Sequence, residues 1–187
     1  FGGLCAWEGK SGRFRTYQAR NGMKLENIVH LAKANDGGIW ITPRHSDPIY
    51  FDSRSHRFTS LSDMGIQLGC RSNLCAFADG DLLYVGHYRG GMSIIDLKKK
   101  TTCRMLHDPA VPQSLPGHSV YSLYKDRLGH LWVGTEWGLG LLDSSTGRFT
   151  VFRHVQGRTS SLVADHVYDI CETADGKLWI ACDGGGI

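Results

Sequence analysis

Residues 138–152 read GLGLLDSSTGRFTVF, and residues 3–17 read GLCAWEGKSGRFRTY. The two segments align without a gap at an offset of 135 residues, which is three periods of 45. Weaker copies of the same pattern begin at Ile49 and Met92. A segment that recurs at such a period indicates a repeat architecture, in which each unit packs against its neighbours.

A second motif recurs in step with the first and places an aromatic residue inside a short apolar run. A glycine-containing turn precedes each run, and such turns between apolar runs are typical of β-hairpins. The runs are Gly38–Ile41, Leu83–Gly86, Leu131–Gly134 and Leu178–Ala181. Each unit therefore holds four short antiparallel strands, named A to D, which is the composition of a β-propeller blade.

The sequence thus predicts an all-β fold without helices, because no segment sustains a helical period. We expect one β-propeller segment over residues 1–187, with three complete blades and two half-blades, or about four blades in all. The predicted parts are strands C and D of a first blade at 1–18, blades at 19–62, 63–106 and 107–154, and strands A and B of a last blade at 155–187.

The chain lacks an initiating methionine and opens and closes at the same point of the repeat, so we expect a fragment or a processed product. The two half-blades either pair into a fourth blade that closes a small ring or belong to different blades of a larger ring. We favour the larger ring. An isolated arc would then expose sheet faces and strand edges.

The aromatic residues of the second motif have a structural role in this interpretation. A tryptophan side chain buries roughly 150–250 Å², which makes it a strong contact between stacked sheets. We predict that these side chains lie between neighbouring blades: Trp40, Tyr84, Trp132 and Trp179.

Composition narrows the function further. The formal net charge is only +3, and no apolar run is long enough to span a membrane, so we expect neither nucleic-acid binding nor direct membrane contact. The six cysteines lack metal-binding spacing, which predicts buried thiols, with a Cys70–Cys75 disulfide as the alternative. No metal site or cofactor is predicted, and no catalytic motif occurs.

The later repeats resemble the two-component regulator propeller repeat. The resemblance rests on LWVGT at 131–135, followed by Gly138, Asp143 and Phe149, and on DGKLWIACDGGGI at 175–187. It covers the whole chain but is weaker from 48 to 110, where Tyr84 replaces the tryptophan.

The resemblance implies the extracytoplasmic, periplasmic sensor region of a bacterial hybrid two-component histidine kinase. It also implies a seven-bladed ring, so the remaining blades of the parent chain would be partners, and a homodimeric parent. The implied ligand is an oligosaccharide or another small molecule. Kinase motifs do not occur in this chain, so we expect no enzymatic activity from it alone.

In a propeller the B–C and D–A connections share one face, called the top face below, and loops on a rigid scaffold commonly bind ligands. An aromatic plate flanked by charged hydrogen-bonding groups suits a sugar ring. Trp137 is not one of the four strand-B aromatic residues, so it is free to bind a ligand in this interpretation. The alternative interpretation is that it packs against a neighbouring loop. The candidate ligand-binding residues are Trp137, Glu136, Tyr88, Arg89, His45 and Asp183.

Strand A lines the central channel of a propeller, and polar residues there indicate either a small-molecule site or a hydrated wall. Four polar residues align at one position of strand A and are predicted to line the channel: His30, Asn73, Ser122 and Asp169.

The sequence favours a ligand-sensing module over two other functions. The first alternative is a structural propeller that serves dimerisation or partner docking without a small-molecule ligand. The second is a glycosidase or lyase, which would require a pair of carboxylates such as Glu136 and Asp183 at a set distance.

Overall fold

The computed structural model describes residues 3–17, 23 and 25–184. Every regular element in this part of the chain is a β-strand, and none of it forms a helix long and apolar enough to cross a membrane. The strands are β1 (Leu4–Glu8), β2 (Arg13–Tyr17), β3 (Ile28–Lys33), β4 (Ile39–Pro43), β5 (Ile49–Asp52), β6 (Arg57–Ser60), β7 (Asn73–Asp79), β8 (Leu82–His87), β9 (Met92–Asp96), β10 (Thr101–Met105), β11 (Val120–Lys125), β12 (Leu131–Thr135), β13 (Gly138–Asp143), β14 (Arg148–Phe152), β15 (Val167–Glu172) and β16 (Leu178–Cys182).

The strands form three four-stranded antiparallel sheets and two strand pairs, each connected in sequence order. Blade I is β3–β6, blade II is β7–β10 and blade III is β11–β14, with strands A to D in that order. The first pair is β1–β2 and the last pair is β15–β16. The predicted all-β propeller fold is confirmed. The two pairs remain separate sheets, so they do not join into a fourth blade within the chain.

The strand-B aromatic residues of blades I and II are buried where neighbouring blades meet. Trp40 shares a core cluster with Leu83 and Ile95 of blade II. Tyr84 shares the next cluster with Val120 and Phe149 of blade III. Burial of apolar surface between sheets therefore joins each blade to the one that follows it.

The corresponding tryptophans of blade III and the last pair are less covered. Trp132 packs against the cluster that Leu139 forms with Val167 and Ile170 of the last pair. Its Nε1 donates to Asp126 Oδ2 at 2.9 Å. Trp179 is 48% exposed, which differs from the prediction that it lies between blades. The reason is that no described strand lies beyond the last pair to cover it.

Glycine at the fourth position of the strand-B motif allows close approach between blades. A Cβ atom on Gly86 would lie 2.5 Å from Cys75 Sγ and 2.7 Å from Val120 Cγ1 of blade III. Gly134 faces Val167 of the last pair in the same manner. A side chain at either position would push strand A of the next blade outwards, so blades II and III require glycine there. The equivalent residue is Thr42 in blade I and Ala181 in the last pair.

All six cysteines are free thiols, so Cys70 and Cys75 form no disulfide. The expectation that they are buried is correct for Cys75 and wrong for Cys5, Cys103 and Cys171, which are exposed. Cys103 lies on the outermost strand of blade II, and the other two exposed thiols lie on the first and last pairs, which have fewer neighbouring sheets.

Candidate functional site

Strand A carries an irregularity at the same point of every described A–B pairing. The register shifts by one residue near the start of β3, β7, β11 and β15. A β-bulge of this kind leaves one residue unpaired and redirects its side chain. The unpaired residues are Val29, Leu74, Tyr121 and Tyr168.

The prediction that Asn73 lines the channel is wrong. The register aligns Cys75, rather than Asn73, with His30 and Ser122. Asn73 is fully buried, and its Nδ2 donates to the carbonyl oxygens of Pro43 at 2.7 Å and Ser46 at 2.8 Å. Asn73 is equivalent to Ile28, Val120 and Val167, which are all apolar. Because Asn73 is polar, the sequence alone aligned it with the polar residues two positions later in the other blades.

Ser122 also contributes no open channel wall, because it is buried and packs against Gly134. His30 is half-buried, and its Nδ1 accepts from the backbone N–H of Ala76 in blade II at 3.3 Å. Burial lowers the pKa of His30, and the carboxylate of Asp169 partly opposes that shift. His30 and the exposed Asp169 therefore remain the candidates for the channel surface.

Trp137 packs on one side against the loop between β10 and β11, residues 106–119, and stays 43% exposed on the other. Its ring centroid lies 5.3 Å from that of His107 and 5.0 Å from that of His118, both in edge-on geometry. The two histidine rings are 5.0 Å apart. The indole is therefore held in place by the loop and still presents a surface.

Glu136 fixes the same loop through both carboxylate oxygens. Oε1 accepts from the backbone N–H of His118 at 3.0 Å, and Oε2 accepts from that of Ser119 at 2.7 Å. Charge-assisted bonds of this kind are stronger than neutral ones. The carboxylate is thus committed to the backbone beside Trp137, which counts against its use as a catalytic acid or base.

Tyr88 and Arg89 join this group through Ser119. The backbone N–H of Arg89 donates to Ser119 Oγ at 3.0 Å, and Arg89 adopts a left-handed φ of 52°. The guanidinium carbon of Arg89 lies 5.5 Å from the centroid of the exposed Tyr88 ring. The structure therefore brings Tyr88, Arg89, Glu136 and Trp137 together where blades II and III meet on the top face.

The other two candidates stand apart from this group. His45 is exposed on the β4–β5 connection of blade I. Asp183 is exposed after β16, and its backbone N–H donates to the carbonyl oxygen of His166 at 2.9 Å. Each occupies the equivalent loop of another blade, so neither contributes to the surface around Trp137.

Sequence reasoning missed a second aromatic group on the strand-A bulges. The ring centroid of Tyr121 lies 4.6 Å from that of His166 and 5.4 Å from that of Tyr168, and the His166 and Tyr168 rings are stacked at 4.3 Å. Burial raises the pKa of Tyr121. The signal was the repeated Val-Tyr pair at 120–121 and 167–168, which the sequence analysis had treated only as strand A.

A cavity of about 910 Å³ lies between blade III and the last pair. It is lined mainly by apolar side chains, including Trp132, Phe152 and Ile180. At the equivalent place beside Tyr84, Phe149 from strand D of the next blade packs in the core. The cavity is therefore an opening between sheets rather than a built ligand site.

The sequence profile of the family described as Two component regulator propeller matches residues 114–137 and 161–184. Each match runs from a D–A loop through strands A and B. These two segments therefore match the two-component regulator propeller repeat, and the resemblance predicted from the sequence is confirmed. No catalytic domain is evident in the part of the chain that the structure describes.

Comparison with known sequences and solved structures gives relatives of the same kind. Histidine kinase P4 of Formosa agariphila is 31% identical over 86 residues, which cover 44% of this chain and 6% of that protein. The extracellular domain of a Bacteroides thetaiotaomicron protein named as a hybrid two-component system is 23% identical, with a TM-score of 0.70, over 98% of this chain and 30% of that one. A second B. thetaiotaomicron extracellular domain, named as a one-component system, is 18% identical, with a TM-score of 0.78, over 98% and 24%. The chain thus spans less than a third of each relative and has the fold of a segment of such extracellular propellers.

Proposed function

We propose that this chain is the ligand-sensing part of an extracytoplasmic receptor in a hybrid two-component histidine kinase, and that its ligand is an oligosaccharide. The observation that carries the proposal is the half-exposed indole of Trp137, held by the β10–β11 loop on the top face, where Ser119 links Glu136 to Arg89. In the intact receptor the remaining blades, and a second copy of the receptor, would be the protein partners.

The arrangement suits a sugar for physical reasons. Aromatic side chains supply a large apolar surface with little conformational entropy to lose, and a sugar ring offers an apolar face of similar size. The guanidinium of Arg89 supplies hydrogen-bond donors for hydroxyl groups at the edge of that surface. The bonds from Glu136 and Ser119 hold the loop in position before a ligand arrives, which lowers the entropic cost of binding.

Isothermal titration calorimetry against a panel of oligosaccharides tests this proposal. We expect one class of oligosaccharide to bind, and Trp137→Ala to weaken its Kd at least ~10-fold, which corresponds to about 1.4 kcal/mol. Trp7→Ala is the matched control, since it removes an exposed indole from β1, away from the top-face loops. The proposal fails if no oligosaccharide binds, or if both variants lower affinity equally.

A docking role is the second candidate, and one observation favours it. Trp7 and Phe14 on the first pair are both exposed, and their ring centroids lie 5.0 Å apart. An apolar surface of this kind on a soluble protein commonly marks a contact with another protein. In that case the chain would associate without responding to sugars.

A further inference from the structure

The β10–β11 loop and Arg153 line a cavity of about 210 Å³, and His107 in its wall contacts Trp137. Polar groups form more of the exposed wall than apolar groups do, and two of the lining residues, His107 and Arg153, are basic. Sequence reasoning singled out neither residue. A small polar pocket beside an aromatic surface suits a polar substituent of a ligand whose ring rests on that surface.

His107 is oriented by the loop itself. Its Nδ1 lies 2.7 Å from the carbonyl oxygen of Leu115, and because a carbonyl only accepts, Nδ1 carries the proton. Nε2 is therefore the ring nitrogen that remains for a ligand, and it donates to an anion when the imidazole carries a second proton. The edge contact with Trp137 fixes the plane of the ring beside the indole.

Arg153 approaches the same place from the end of blade III. A Cβ atom on Gly138 would lie 3.2 Å from Arg153 Cγ, so the arginine stem runs beside the residue that follows Trp137. Its Nη2 donates to the carbonyl oxygen of Pro116 at 3.3 Å. Since a guanidinium has five N–H donors, this bond positions Arg153 and leaves most of its donors for another acceptor.

The acidic groups nearby are already engaged. Both oxygens of Glu136 accept backbone N–H groups, as described above. Asp108 also lines the cavity, but its Oδ1 accepts from the backbone N–H of Ala110 at 2.9 Å. On the other side, Arg104 lies beside Arg89, since its Nη2 donates to the carbonyl oxygen of Gly90 at 2.6 Å. The hydrogen bonds to Glu136 and Asp108 leave both carboxylates charged. Three arginines outnumber them near Trp137, namely Arg89, Arg104 and Arg153, and none of the three forms an ion pair with another described residue.

We propose that this cavity takes the negatively charged group of a sugar, a carboxylate or a sulfate, while the sugar ring rests on Trp137. The ligand class is thus an acidic oligosaccharide. A guanidinium pairs with either anion through two parallel N–H bonds, which gives both strength and orientation. This inference rests on the proposed function, because it takes Trp137 to be the platform for the ligand.

The chain contains a built-in control for the structural role of the loop. In the equivalent β14–β15 loop, His154 Nδ1 lies 2.8 Å from the carbonyl oxygen of Leu162, as His107 does from that of Leu115. Gly184 occupies the position that corresponds to Trp137. His154→Gln therefore removes the same loop bond where no aromatic platform exists.

The test is calorimetric titration of the whole chain with three galactose-based oligosaccharides of equal length: an oligogalacturonate, a sulfated galactan fragment and a neutral galactan fragment. We expect at least one acidic sugar to bind ~10-fold or more tightly than the neutral one, with affinity falling as salt is raised from about 0.05 to about 0.5 M. Arg153→Gln and His107→Gln should each remove that preference. Arg153→Lys keeps the charge without the planar fork and should restore it in part.

Two further variants make the result specific. Arg148→Gln removes a positive charge from an exposed position at the other end of β14, and His154→Gln removes the equivalent loop bond. Both should leave the preference unchanged.

If the neutral sugar binds as tightly as both acidic ones and Arg153→Gln changes nothing, this inference is overturned and the proposed function stands. If none of the three sugars binds, this inference fails, and the wider oligosaccharide panel described above decides the proposed function separately. Which acidic sugar binds identifies the charged group.

Discussion

Trp40 and Trp179 occupy the same position of the repeat but lie in different surroundings. Trp40 is 3% exposed and sits in a core formed by blades I and II, whereas Trp179 is 48% exposed. The contribution of this tryptophan to the free energy of unfolding therefore depends on the blade that covers it and not on the indole alone. Burial removes apolar surface from water at roughly 25 cal/mol per Å², so the two residues provide an internal comparison.

We expect Trp40→Ala to lower the free energy of unfolding by about 3–5 kcal/mol, because it leaves a cavity in a packed core. Trp179→Ala should cost less than ~1 kcal/mol, since much of its surface is already in contact with water. Urea unfolding followed by far-ultraviolet circular dichroism measures both. Equal losses in the two variants would contradict the assignment of Trp40 to the inter-blade core.

The sequence predicted some single residues well because their roles follow from local pattern. The strand-B aromatic residues were identifiable from the turns before them and from the alternation of apolar residues. Trp137 was identifiable because it lies outside the strand-B position that those aromatic residues share. Asn73 was placed in the wrong register because its polarity matched His30, and only the strand pairing shows that Cys75 is the true equivalent. The clustering of Trp137 with His107 and His118 depends on how a long loop folds back, which spacing alone does not specify.

At the scale of elements, a buried polar network fixes strand A of blade II to its neighbours. His87 Nδ1 lies 3.1 Å from Asn73 Oδ1, and His87 Nε2 lies 2.8 Å from Ser93 Oγ. Because Asn73 Nδ2 donates to the carbonyls of Pro43 and Ser46, its Oδ1 is the acceptor and His87 Nδ1 the donor. The network thus ties β7, β8 and β9 to the top-face loop of blade I.

The same network makes stability depend on pH. Burial, assisted by the charge of Arg104, lowers the pKa of His87 to about 4. In the unfolded chain the pKa is about 6.5, so between these values the unfolded state binds a proton that the folded state does not. Stability is therefore complete above pH 6.5 and declines as pH falls towards 4, by about 3 kcal/mol in total from this group.

Chemical denaturation at a series of pH values checks this expectation. His87→Gln should lower stability at pH 7 and show a shallower decline between pH 6.5 and 4 than the wild type. Burial also lowers the pKa of His30, so a smaller slope of the same sign should remain. An unchanged slope in His87→Gln would show that the buried imidazole is not the source of the pH dependence.

The strands themselves were predictable, whereas the bulges were not. Alternating apolar residues and glycine turns specify hairpins locally, so strands A to D could be placed in every unit. The repeated Val-Tyr pair marks Tyr121 and Tyr168 in the sequence. A bulge adds one residue to a strand without changing its composition, so the pattern does not show that these two residues leave the ladder. As a result, the aromatic group that they form with His166 was not predicted.

At the scale of the whole molecule, the described blades form an arc whose two outer sheet faces are uncovered. Trp7 and Phe14 are 59% and 71% exposed. The repeat places them at the positions of Leu142 and Phe149, which are buried against blade II. At the other end, Trp179 is exposed on the last pair. Two apolar faces that match blade-contacting faces elsewhere in the fold are therefore open to water.

Such faces should make the chain associate with itself, because burying them recovers the stabilisation that an adjacent blade provides. We expect the weight-average mass in sedimentation equilibrium to rise with protein concentration. The double variant Trp7→Ser and Phe14→Ser should reduce that rise, and Trp179→Ser should reduce it as well. Leu128→Ser is the control, since it removes an exposed apolar side chain from the turn between β11 and β12. If the chain stays monomeric at every concentration, or if Leu128→Ser reduces the association as much as the tryptophan variants do, the open faces do not drive self-association. In that event the docking role loses its main support, and the sensing role on the top face, which uses none of these residues, would be unaffected.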